Sequence, residues 1–330
     1  MSAQPIGHSP LPPAPLVAEP WPPADATVVA YDVSRSFGGL VAVSNVSLAV
    51  RPGVTALLGP NGAGKSTLLR MLSGQIATGG GKVWVAGGDP RTDADARGRI
   101  GLVPQQDGVF EREKGFDVVK LAATLSNVDD PAGRAHWALG LVELDTDLER
   151  PMGSYSKGMR QRVKIAQALV HDPVVIMLDE PLNGLDPKQR RQMIGLFHRL
   201  GEMGKTVLVS SHVLEEVERF GSHVIVIARG RMAAQGDFRA IRALMDDQPL
   251  RIRVVCEKAS QLAATLVNSG SLVGCTVEAP NQVEVVTNDV RRFRREVALV
   301  CSDQGLRLEE ITPLDEDLES VFRYLVGGGA

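Results

Sequence analysis

"VTALLGPNGAGKSTLLRMLSG", residues 54 to 74, joins three patterns without a break. An apolar run of strand length comes first, preceded by the turn signal "RPG". "GPNGAGKST", residues 59 to 67, then fits G-x-x-x-x-G-K-[ST], with Gly59, Gly64, Lys65 and Ser66 at the fixed positions. Beyond it Leu68, Leu69 and Leu72 recur at helical spacing up to Gly74. A strand that feeds a glycine loop opening a helix aims backbone N–H groups and a positive helix end at one point, which suits a phosphate. The loop expected to do so comprises Gly59, Pro60, Asn61, Gly62, Ala63, Gly64, Lys65, Ser66 and Thr67. Lys65 would reach the outer phosphates of a nucleotide, and Ser66 would ligate Mg2+.

A second constellation is "VVIMLDEP", residues 174 to 181, an apolar strand ending in two acids. Asp179 at the strand's end can hold a hydrated magnesium ion. Glu180 beside it can polarise an attacking water, as phosphoryl transfer requires.

Around these motifs strands alternate with helices. "TVVAYDVSRSF", "VAVSNVSLAV", "VVIML", "TVLVSS" and "VIVIA" have strand character, and "PKQRRQMIGLFHRLGEMG" reads as a helix. Residues roughly 110 to 172 lose strand character and read as helices, with Met159, Val163, Ala166 and Val170 on one helical face. The expectation is an α/β sheet carrying an inserted helical block. From about Leu250 the order becomes β-α-β-β-α-β, that of a ferredoxin-like unit, followed by the short acidic helix "LDEDLESVFRYLV".

Composition narrows the classes. The 330 residues carry 36 Lys and Arg against 39 Asp and Glu, a net charge of −3, which argues against a general nucleic-acid binder. Arg291, Arg292, Arg294 and Arg295 read as a solvated helix face. Three widely spaced cysteines, Cys256, Cys275 and Cys301, form neither a disulfide framework nor a metal motif, and read as small buried hydrophobes. Apolar runs stay strand-sized, so no segment is long enough to cross a bilayer. Proline crowds residues 1 to about 26, which should be an extended or disordered tail.

Further motifs add a family resemblance. "YSKGMRQR" at 155 to 162 resembles the signature loop of ATP-binding cassette (ABC) ATPases, "NGLD" at 183 to 186 their D-loop, "VSSH" ending at His212 their switch histidine, and "LVPQ" ending at Gln105 their Q-loop. Phe37 stands where that family keeps an aromatic that stacks on adenine. Together with the phosphate loop and the two acids these cover residues 27 to 240, whereas GTPases and small-molecule kinases share only the phosphate loop. Where the usual signature is L-S-G-G-Q, this chain has Tyr155, Lys157 and Met159, but it keeps Ser156 and Gly158, which the family uses to contact the γ-phosphate. Lys157 adds a charge that either strengthens nucleotide binding or lies on the surface.

The resemblance implies a P-loop nucleoside triphosphate hydrolase fold; the element pattern adds a helical subdomain at about 110–172 and a ferredoxin-like α+β extension at 250–330. It implies ATP and Mg2+ as cofactors, Glu180 and His212 as catalytic residues, and Ser66, Gln105 and Asp179 around the metal. ATP would lie between Lys65 of one subunit and Ser156 of a second, giving a head-to-tail dimer, a homodimer by expectation. The expected activity is ATP hydrolysis driving transport, on the exporter side of the family, through a separate membrane permease that docks at Gln105 and the helical block. The protein would then sit in the cytoplasm, peripheral on the membrane's inner face. Two other readings stay open: a soluble cassette ATPase acting on ribosomes or DNA, and a nucleotide-controlled regulator. Against the first stand the absence of a second phosphate loop and the lack of a sustained heptad run.

Overall fold

The computed structural model describes residues 22–240 and 250–314, apart from 107, 109, 147 and 271. Most of the proline-rich stretch lies outside them, as does the acidic ending beyond Leu314. Residues 22–26 make a turn in which the Ala26 N–H donates to the Pro23 carbonyl at 3.0 Å, while Asp25 pairs with Arg51 at 2.9 Å.

The chain opens with β1 (Val28–Phe37), β2 (Leu40–Val50), β3 (Gly53–Leu58), α1 (Lys65–Leu72), β4 (Gly80–Val85), α2 (Ala94–Gly98) and β5 (Ile100–Val103). Three helices follow, α3 (Gly115–Leu125), α4 (Pro131–Leu141) and α5 (Lys157–Leu169). The alternating pattern then resumes with β6 (Val175–Leu178), α6 (Pro187–Glu202), β7 (Thr206–Ser211), α7 (Leu214–Phe220), β8 (His223–Ala228) and β9 (Arg231–Asp237). The expected helical block is therefore α3 to α5, inserted between β5 and β6.

A six-stranded sheet in the order β5-β6-β7-β3-β8-β9 carries the site. All its pairings are parallel except β8 with β9. Every residue of β6 and β7 is buried, because helices or strands cover both faces. Side chains alternate between two cores. Ile176, Leu178, Val207 and Val209 join the cluster shared with the helical block and α6, whereas Val175, Met177 and Leu208 join the cluster beneath α1 and the antiparallel sheet β2-β1-β4. Burying each such side chain stabilises by about 1.5–3 kcal/mol, so the sheet register is fixed from both sides.

Parallel strands end on one edge. Leu58 of β3, Leu178 of β6 and Ser211 of β7 therefore bring Gly59, Asp179 and His212 to the same rim, where open α/β sheets place ligands.

The last elements are β10 (Leu250–Cys256), α8 (Ala259–Asn268), β11 (Gly274–Ala279), β12 (Gln282–Thr287), α9 (Val290–Gln304) and β13 (Leu308–Pro313). Their antiparallel sheet has the order β11-β12-β10-β13, the ferredoxin-like arrangement the element order predicts. Its core joins Ile252, Val254, Leu262, Val283, Phe293 and Val297. Cys256 and Cys301 lie buried in it, and burial pushes both thiols up from their ordinary pKa; all three cysteines are free. Arg291, Arg292, Arg294 and Arg295 are exposed on α9, and Arg292 binds Glu296 at 2.8 Å. Among the described residues no helix is long and apolar enough to cross a membrane.

Candidate nucleotide hydrolysis site

The loop from Gly59 to Gly64 is boxed by backbone. A Cβ at Gly59 would come within 2.5 Å of the Ile227 carbonyl, and one at Gly64 within 2.4 Å of the Ala42 carbonyl. Gly64 also has φ +103°, a region that side chains avoid. The Gly59 N–H donates to the Ser211 carbonyl at 3.2 Å, and the Gly230 N–H to the Ala63 carbonyl at 3.0 Å. These contacts hold the loop against β2, β7 and the turn between β8 and β9. Lys65, only 5% exposed, opens α1 and turns its ammonium back onto the loop, donating to the Gly59 carbonyl at 2.5 Å and the Pro60 carbonyl at 3.2 Å. Ser66 and Thr67 follow in the first turn of α1, half-buried. An anion at this helix end would meet the loop N–H groups, the helix dipole and the ammonium together.

Opposite stand the two acids. Asp179 continues the ladder past β6, its N–H donating to the Val103 carbonyl at 2.9 Å. Glu180 takes φ +50°, a strained backbone for a non-glycine residue costing about 1–2 kcal/mol, of the kind that clusters at working sites. Ser210 holds both acids in place. Its hydroxyl accepts the Glu180 N–H at 2.8 Å and donates to Asp179 Oδ1 at 2.7 Å. Glu180, 8% exposed, then offers one carboxylate oxygen to each side: Oε1 lies 3.1 Å from Lys65 Nζ, and Oε2 lies 2.8 Å from His212 Nδ1. The Lys65 contact is an ion pair without hydrogen-bond geometry, so Oε1 has charge compensation but no donor aligned on it. A carboxylate so placed is ready to accept a proton from a water near the loop, with the imidazole fixing its plane.

Gln105 lies two residues past β5, exposed and beside the strand that delivers Asp179. The Lys164 ammonium steadies that segment by donating to the Gln106 carbonyl at 3.2 Å. Ser66, Gln105 and Asp179 offer a hydroxyl, an amide oxygen and a carboxylate, a hard-oxygen set suited to a magnesium ion that keeps water and phosphate ligands. Among the described residues no cluster of three His, Cys, Asp or Glu could cage a metal alone.

Phe37 ends β1 at the tip of the β1–β2 hairpin, 47% exposed, with the Arg35 guanidinium 4.8 Å from its ring centroid. The return strand reaches the phosphate loop through the Ala42 carbonyl, which lies against Gly64. Ser156 and Gly158 are placed differently. Ser156 caps α5 by accepting the Met159 N–H at 3.2 Å, and Gly158 packs on the Gln189 side chain in the first turn of α6. Lys157 lies across Gly184, where an added Cβ would meet its Nζ at 2.3 Å. Among the described residues no hydrogen bond or ion pair joins Ser156 or Gly158 to Lys65, Glu180 or His212. The signature loop is bound to the NGLD segment of its own chain.

Sequence reasoning misses the serines. Ser210 and Ser211 are buried hydroxyls that close β7 after Val207, Leu208 and Val209, and only the structure shows that burial. Ser211 donates to Glu216 Oε2 at 2.8 Å, and Glu216 pairs with Arg190 at 3.3 Å.

A phosphate loop, a strand-end acid pair and a histidine on one sheet rim define a P-loop nucleoside triphosphate hydrolase. Comparison with known proteins gives the family. A family profile described as ABC transporter matches residues 43–183. Daunorubicin resistance ATP-binding protein DrrA2 of Streptomyces coeruleorubidus is 33% identical over 91% of this chain and 95% of its own length. Nod factor export ATP-binding protein I of Rhizobium etli is 32% identical over 90% of this chain and 92% of its own. Among solved structures, a dimeric bacterial ABC transporter cassette matches with a TM-score of 0.59 and 27% identity, over 64% of this chain and 99% of that one. The same cassette in a post-hydrolysis dimer bound to ADP and Pi matches equally, at 0.59 and 27%. The chain belongs to the ABC transporter family of ATP-binding proteins, and it is an ATP-binding, ATP-hydrolysing cassette.

Proposed function

We propose that this protein powers export through a separate membrane permease, as a dimer that closes on ATP and opens after hydrolysis. The observation that carries the proposal is the Glu180 carboxylate held between Lys65 and His212. Binding a nucleotide draws the Lys65 ammonium from the Gly59 carbonyl and Glu180 Oε1 onto phosphate oxygens. That exchange frees Oε1 for the attacking water, while the His212 contact keeps Oε2 in place. Glu180 accepts the water's proton as the oxygen attacks the γ-phosphorus in line, and the bond to the β–γ bridging oxygen breaks to leave ADP and phosphate. Ser66, Gln105 and Asp179 would hold Mg2+, which would supply neutralisation of the phosphate charge. Phe37 stacks on adenine.

The separation of Ser156 and Gly158 from Lys65 within one chain supports a composite site, in which the signature loop of a second copy closes over the γ-phosphate. Two such sites make a head-to-tail dimer, and losing the γ-phosphate removes what bridges its halves. The full-length likeness to a drug-resistance and a Nod factor export protein supports export. The working division is a tail at 1–26, the ATPase at 27–240 with its helical subdomain at about 110–172, and an accessory unit at 250–330. The permease docks at Gln105 and the helical block, which holds the protein on the inner face of the membrane. Tagged Glu180→Gln protein, recovered from host membranes with ATP, should bring a multi-spanning protein with it. Recovery of ribosomes or DNA-repair proteins, without membrane association, would replace transport by a soluble role.

A further inference from the structure

We propose that Arg190 and Glu216 are a positioning pair, tying the NGLD loop and the signature loop packed on it to the switch histidine within one subunit. The proposal rests on the ATPase reading above and adds the route by which one edge of the site acts on the other.

Arg190 lies in the first turn of α6 and binds two elements at once. Its Nε donates to the Leu185 carbonyl of the NGLD loop at 3.1 Å, and its Nη1 lies 3.3 Å from Glu216 Oε1 on α7. Glu216 is only 6% exposed, and Oε1 has no hydrogen-bond donor among the described residues. Arg190 supplies its ionic compensation. The other oxygen, Oε2, accepts the Ser211 hydroxyl at 2.8 Å. That hydroxyl also accepts the Val213 N–H at 3.0 Å, so it bridges the two neighbours of His212 in the chain. The Ser211 carbonyl accepts the Gly59 N–H of the phosphate loop at 3.2 Å. Behind Arg190, Gly158 packs on Gln189 and Lys157 on Gly184. Contacts therefore run without a gap from the signature loop to the residues that aim His212 at Glu180.

Holding α6 to α7 does not require this pair. Phe197 and Phe220 already pack those helices edge to face, with centroids 6.1 Å apart and both rings buried. A buried carboxylate is a poor means of adding stability, because its desolvation offsets much of the Coulomb gain. What Arg190 and Glu216 add is direction. The planar guanidinium fixes Leu185 relative to Glu216, and a displacement of the NGLD loop must move or break that link.

Steady-state ATP hydrolysis by the full-length protein tests this, with Arg190→Gln, Arg190→Lys, Glu216→Gln and the double variant Arg190→Gln/Glu216→Gln. Arg190→Gln should lower kcat about tenfold and leave the ATP KM within about twofold, since the phosphate loop is untouched. Arg190→Lys should fall between, because lysine keeps the charge but cannot also reach the Leu185 carbonyl in the same geometry. The double variant should be no worse than the poorer single. Phe197→Leu is the control for simple destabilisation, and should lower Tm with kcat retained. An Arg190→Gln kcat equal to wild type, additive losses in the double variant, or an equal kcat loss in Phe197→Leu would each overturn the pair's role while wild-type turnover leaves the ATPase reading standing. A wild-type protein without turnover would overturn that reading and this proposal with it.

Discussion

Lys65 Nζ lies 3.1 Å from Glu180 Oε1, an ion pair across the site between the phosphate loop and the end of β6, with both side chains about 95% buried. The two groups have opposite tasks. In the proposed mechanism lysine attracts the phosphate and glutamate receives the water's proton, so each would have to release the other before hydrolysis. Glu180→Gln removes the proton acceptor and keeps the shape. It should lower kcat by about 10²–10⁴-fold and leave ATP binding intact, measured by turnover and by equilibrium binding of labelled ATP.

Lys65→Ala should abolish ATP binding, because no other buried ammonium faces the loop among the described residues. It also leaves Glu180 buried without its cation, which costs about 3–5 kcal/mol. Calorimetric titration should detect no ATP binding, and thermal unfolding should show a lowered Tm.

The helix start tolerates no side chain at Gly64. A Cβ there meets the Ala42 carbonyl at 2.4 Å, and this neighbour is backbone, which cannot swing aside. Gly64→Ala adds about 1–2 kcal/mol of left-handed strain to that clash. Both stability and nucleotide affinity should fall. Gly62→Ala, whose added Cβ meets nothing within 4 Å, should suffer the backbone strain alone.

His171 makes the fold sensitive to acid. Burial first, then the Arg134 and Lys205 charges, push its pKa down, against the opposing pull of the Ile100 carbonyl and Asp172. Its Nε2 lies 3.1 Å from that carbonyl, so the neutral ring donates there. In the folded state the group binds its proton at lower pH than the unfolded value of 6.5. Its contribution is therefore complete above about pH 6.5 and is lost as pH falls from there through the lower folded pKa. Thermal unfolding of His171→Gln should show a smaller drop in Tm between pH 7.5 and 5.5 than wild type; equal drops would assign the acid sensitivity elsewhere.

Much of this site is legible in the sequence because its parts are local. The phosphate loop, the strand ending in Asp179 and Glu180 and the strand ending at His212 each announce themselves within ten residues. Their meeting on one rim follows from parallel pairing, which alternating strands and helices imply. The sheet order β5-β6-β7-β3-β8-β9 is not legible, since it depends on which buried faces match across long stretches of chain. The same holds for β4, α2, α7 and β9, whose short or polar stretches carry little periodicity. Ser210 illustrates the limit. One hydroxyl fixes both acids, 30 residues from Glu180 and 31 from Asp179, and only the β6–β7 register reveals it. Lys157 is another case, since its contact with Gly184 is set by tertiary packing.

ATP is expected to join two copies of this chain through the phosphate loop of one and the signature loop of the other. Light scattering of purified Glu180→Gln protein, with and without saturating ATP and Mg2+, measures it directly. A stable dimer holding two nucleotides is expected with ATP, and a monomer without it; Ser156→Arg in the same background should remain monomeric while still binding ATP. A Glu180→Gln protein that binds ATP yet stays monomeric at saturation would contradict the composite site.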